Sequence, residues 1–136
     1  MTGVQTCALP IYVPWYNPNS SLTKTVEKAF LKQNPKDRLV FHGLNVGFTF
    51  EAILIAADAF TRAKSTDPRT LADAIRQTNI TSKMMLGAPI KFNAKGQVEG
   101  IGSACVQNLN LIPTVVLPAD AATAKPVFPA PDHKKA

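Results

Sequence analysis

One run of residues constrains this chain more than any other: Gly47 to Lys64, GFTFEAILIAADAFTRAK. From Phe48 to Phe60 it is apolar except for Thr49, Glu51 and Asp58. A surface helix carries one apolar stripe and a polar back, whereas this run is apolar nearly all round, which predicts a core helix covered on most sides. A membrane span needs about 20 mostly apolar residues, and the run reads as too short and too interrupted for that. The question becomes whether the chain can cover such a helix by itself.

At 136 residues with 46% hydrophobic content, the chain fits one globular domain or a piece of one and is too apolar to be disordered throughout. The net charge of +6 raises nucleic-acid binding. The basic residues are scattered, however, from Lys24, Lys28, Lys32, Lys36 and Arg38 to Lys91, Lys95, Lys125, Lys134 and Lys135. Solvated helix faces and a basic tail account for them, and no nucleic-acid partner is expected.

Residues 1–11, MTGVQTCALPI, carry no charge and no period of two or of 3.6. The string resembles the translation of a common sequencing-library adapter, so it is set aside as a non-native segment. Cys7 goes with it, leaving Cys105 as the remaining thiol and no disulfide framework. On this reading the natural start is missing, and the lack of a visible signal peptide carries no information on location.

The stretch Tyr12–Asn19 is extended around Pro14 and Pro18, and Trp15 and Tyr16 are either hinge or core aromatics or ligand stackers. Ser20 or Ser21 caps a helix to about Asn34, with Leu22, Val26, Ala29 and Phe30 as its apolar stripe. Arg38–Phe41 leads to the central helix, and His42 stands without metal-ligand partners nearby. Asp67 caps a third helix that opens at Pro68 and buries Leu71, Ala74 and Ile75. A hairpin is expected from Pro89–Phe92 through the turn Asn93–Gly96, then a strand over Cys105–Leu111 that Pro113 breaks, then a short strand over Thr114–Leu117. Residues 119–136, rich in Ala and Pro, read as a draped tail or disorder. Three helices and four short strands in this order do not supply the parallel sheet that would cover the central helix. The chain is expected to be the C-terminal end of something larger.

Catalytic signatures are lacking: no GxSxG, P-loop, HExxH or dinucleotide-binding glycine pattern occurs. Glu51 and Asp58 share a helical face but read as its polar edge. Cys105 has no activating neighbour in sequence and reads as buried and inert. Asn19–Ser21 and Asn79–Thr81 match the glycosylation pattern, a signal that arises often by chance. No enzyme, cofactor or metal is expected.

Taken together, FEAILIAADAFTRA, STDPRTLADAI, LGAPIKFNAKGQ, VQNLN and TVVLP, in that order and spacing, resemble the C-terminal third of periplasmic substrate-binding proteins of ABC transporters, of the branched-chain amino acid (leucine/isoleucine/valine-binding) type. The resemblance covers residues 12–118. It implies an α/β fold: part of a type I periplasmic-binding-protein fold, with an incomplete N-terminal lobe and the last crossover, not a complete domain. It implies a non-catalytic solute-binding component of an uptake transporter, periplasmic, whose ligand is a branched-chain amino acid or related small amino acid or amide and whose partner is a membrane permease. Of the binding residues it leaves in this chain only Asn45, Gly47 and Phe48, expected in a turn before the central helix. There Phe48 lines an apolar pocket or is simply core, and free N–H groups at the helix start favour an anion. The competing expectation is a freestanding α+β interaction module.

Overall fold

The computed structural model describes residues 11–128. Residues 1–10 and 129–136 lie outside the described residues, and with them nearly all of the expected non-native segment and the end of the expected tail. The elements in chain order are β1 (Ile11–Pro14), α1 (Ser21–Gln33), a 3-10 turn (Leu39–Phe41), α2 (Gly43–Ala63), α3 (Pro68–Arg76), β2 (Ser103–Leu109) and β3 (Ile112–Leu117). The three strands form one antiparallel sheet in the order β1-β2-β3. The fold is thus a small mixture of helices with a three-stranded antiparallel sheet.

Local chemistry explains most boundaries. The Ser20 hydroxyl accepts from Thr23 N at 3.0 Å and starts α1. Asp67 does the same for Thr70 N at 2.8 Å, with Pro68 at the first position of α3, where its missing N–H costs nothing. The expected apolar stripe of α1 holds for Leu22, Val26 and Phe30, which are half-buried, whereas Ala29 is exposed and Thr23 is buried. On α3, Ala74 is buried but Ile75 stays 37% exposed, because α3 packs on α2 along one edge only.

The late strands depart from expectation in two ways. The hairpin around Asn93–Gly96 forms but is short: one bridge, Phe92 with Val98, backed by hydrogen bonds from Asn93 N to Gln97 O and from Glu99 N to Lys91 O, both 2.9 Å, while Ile90 bridges back to Ile80 outside it. Pro113 does not end a strand but lies within β3, an edge strand, where a missing N–H is tolerated. The chain reverses instead at Asn110 and Leu111, whose φ angles of 52° and 63° are those of the two-residue turn that matches strand twist.

Two buried clusters form the interior. One joins Tyr16, Leu39, Met84 and Met85, flanked by Val26, Phe30, Val46 and Phe50. The other joins Leu86, Ala104, Val115 and Ala121. Trp15 packs against both clusters and stacks on Tyr16 with ring centroids 5.7 Å apart, so these aromatics sit in the interior. Backbone hydrogen bonds from Asn17 N to Met84 O and from Leu86 N to Trp15 O, both 2.9 Å, bind β1's exit to the Met84–Leu86 segment. The beginning of the expected tail is draped, not loose. Ala121 is fully buried, Thr123 N donates to Val115 O at 2.9 Å, and the Asn19 side chain donates to Asp120 O at 3.0 Å.

Leu111 holds a left-handed conformation while 80% exposed, so it bears the steric cost without burying much surface. Leu111→Gly should therefore raise stability by about 1 kcal/mol, measured by urea unfolding. Burial of Tyr16, with the Glu27 charge adding to it, pushes its hydroxyl pKa from 10.0 up to about 12. A raised folded-state pKa contributes stability that is whole below pH 10 and is lost as pH climbs through about 12, on the order of 3 kcal/mol in all. Thermal melts between pH 9 and about 12 should show that loss, and Tyr16→Phe should flatten it.

Candidate functional site: the outer face of α2 and its groove

Helix α2 runs 21 residues and begins at Gly43, four residues before the apolar run that predicted it. Two glycines allow this. A side chain at Gly43 would overlap the Tyr16 ring, and one at Gly47 would overlap the Met85 sulfur. The helix backbone therefore lies directly on the first cluster at these two points. This corrects the placement of Asn45, Gly47 and Phe48, which belong to the first turns of α2 and not to a turn ahead of it. The helix-start N–H groups are those following His42, whose carbonyl already accepts from Val46 N at 2.9 Å.

Cover is one-sided. Only Gly43, Gly47 and Ala59 of α2 are buried, while Phe48 is 45% exposed, Ile53 63% and Phe60 49%. Thr49, Ala52, Ile53, Ala56, Ala57 and Phe60 recur at helical spacing and all face outward. The expectation of burial on most sides is thus not met among the described residues, whose elements pack on one side of α2. The length reading also changes. With the extra turn, α2 is long and apolar enough to cross a membrane by length and composition alone, at a mean hydropathy of 1.4.

Beside this face, α2 and the 83–102 segment enclose a groove of about 160 Å³. Phe48, Ala52, Ile55, Met85, Ile90 and Ile101 supply apolar walls, and Glu51 and Lys83 stand in its lining. Both charges are engaged. A Glu51 carboxylate oxygen accepts from Met85 N at 2.6 Å, and the Lys83 ammonium donates to Met85 O and Leu86 O at 2.8 Å each. Desolvation lowers the Lys83 pKa, and the Glu51 charge opposes that shift. Of the expected site residues Phe48 lines the groove; Asn45 is exposed on α2 away from it, and Gly47 is taken up by Met85. Sequence reading missed Met85, Ile90 and Ile101, since no period links a helix to an irregular ribbon some 30 to 50 residues later.

The remaining polar groups mostly pair locally. His42 meets Asp37 at 2.8 Å, and the Arg38 N–H, then His42, hold the Asp37 carboxyl below its usual range. Asp58 is lowered in the same way by its hydrogen bonds from Arg62, which also reaches Ala74 O at 2.7 Å. Glu51 and Asp58 are therefore tied to different partners and do not act as a pair. Cys105 is buried. Among the described residues no group of His, Cys, Asp and Glu is arranged to hold a metal. Among the described residues the buried Trp15 Nε1 and Thr78 Oγ1 have no hydrogen-bond partner.

If the outer face of α2 is free surface, replacing Ile53 and Phe60 by Glu should leave stability within about 0.5 kcal/mol while reducing binding of a hydrophobic dye. A loss of about 3 kcal/mol or more in urea unfolding would instead mark these residues as core. No protein-family model and no curated protein matches the chain.

Proposed function

We propose that the chain is the C-terminal part of a non-catalytic, periplasmic solute-binding component of an ABC uptake transporter. The full protein would capture a branched-chain amino acid or a related small amino acid or amide and deliver it to a membrane permease. The observation that carries this reading is the outward face of α2, where Ile53, Phe60 and a row of alanines stay exposed among the described residues. A domain normally packs its helices in layers, so an apolar face of this length calls for a further layer. An upstream α/β lobe supplies one, and a cleft between lobes is where a small ligand is held. The residue pattern quoted from Phe50 to Pro118 supports the same reading. Phe48, in the groove wall, is the residue of this chain assigned to contact an apolar ligand side chain.

A second reading, a freestanding α+β interaction module, draws on the second cluster, which the residues up to Ala121 close without help. The reading frame upstream of Tyr12 in an intact gene separates the two. The proposal expects a secretory signal and a parallel α/β lobe there, and a rise in melting temperature of the restored protein with leucine, isoleucine or valine. A frame encoding neither would favour the freestanding module.

A further inference from the structure

Gln107 lies in the middle strand β2 and is 1% exposed. A polar side chain buried this deeply needs partners, and Gln107 finds them 20 residues away. Its Nε2 donates to Val127 O at 2.9 Å, and its Oε1 accepts from Val127 N at 3.0 Å. The carboxamide thus presents a donor and an acceptor side by side, as a neighbouring strand would, and engages both main-chain groups of one residue. The side chains at that point contribute less, for Val127 is 40% exposed and Phe128 63%. The segment so held is anchored at its other end by Ala121 in the second cluster and by Thr123 N on Val115 O.

We propose that Gln107 is a clasp that reads peptide backbone and fastens residues 119–128 across the sheet, in a slot whose ligand class is an extended peptide. The chain's own strap is the resident occupant. Recognition goes through main-chain atoms, so it is indifferent to the side chain at position 127 but requires an N–H there. Lifting the strap would strip the carboxamide of both bonds within a buried site, which is what holds residues 119–128 in place. The Gln107 bonds hold the far end of the strap, beyond the anchors that Ala121 and Thr123 make on the second cluster and on β3. This inference is independent of the transporter reading.

The test follows the Gln107 side-chain amide protons by NMR in the full chain, with hydrogen exchange of the β2 and β3 amides reporting the ladder. In the parent protein these protons should exchange slowly. Val127→Ala should leave the rate within about twofold, whereas Val127→Pro, which removes the N–H, should speed it about tenfold with the ladder unchanged. A second variant, Gln107→Leu, should deprotect the Val127 amide by a similar factor while leaving the Thr123 amide protected. Equal effects of Val127→Ala and Val127→Pro would overturn the proposal, because side-chain packing would then be what holds the strap. So would an unchanged rate in Val127→Pro. If Gln107→Leu unfolds the ladder, the Val127 pair decides.

Discussion

The short segment Lys83–Leu86 is the point on which the described structure converges. Its backbone is gripped from three sides: by Trp15 and Asn17 through main-chain bonds, by the Glu51 carboxylate of α2, and by the Lys83 ammonium folding back on Met85 and Leu86 carbonyls. Met84 and Met85 fill one cluster while Leu86 enters the other. A charged group bonded to a backbone N–H inside a partly apolar setting is among the stronger hydrogen bonds a protein makes, and removing one partner strands the other. That grip orients α2, and α2 in turn carries α3 along its edge.

The same arrangement explains why α2 is covered on one side only. Gly43 and Gly47 let Tyr16 and Met85 press against the helix backbone, so the inner face is fully used near its N-terminal end. Among the described residues the opposite face stays largely exposed. An all-round apolar helix is built for two neighbouring layers, and the described residues provide one. The larger parent protein proposed above would add a second layer over that face, beside the 160 Å³ groove.

The sheet shows the opposite economy. Its strands are short, yet they are closed off by a segment with no regular secondary structure, held by the buried amide of Gln107 and by Ala121. Ala/Pro-rich composition, which reads as loose chain, says little about whether such a segment has a place to dock. Here the places are a glutamine on β2, a core pocket for Ala121 and the Val115 carbonyl.

Elements whose signals are local were legible in the residues. Ser20, Asp67 and Pro68 marked helix starts because caps act within three residues, and the apolar run announced α2 because periodicity is a property of neighbours. The antiparallel strands near Cys105 and Thr114 were visible for the same reason. What the tertiary structure alone decided depends on contacts distant in sequence. These include the early start of α2 under Tyr16, the pairing of Glu51 with Met85, the groove that joins Phe48 to Ile101, and the strap on Gln107. Composition told how much apolar surface α2 carries, but which of its faces stays bare was set by where the other elements ran out.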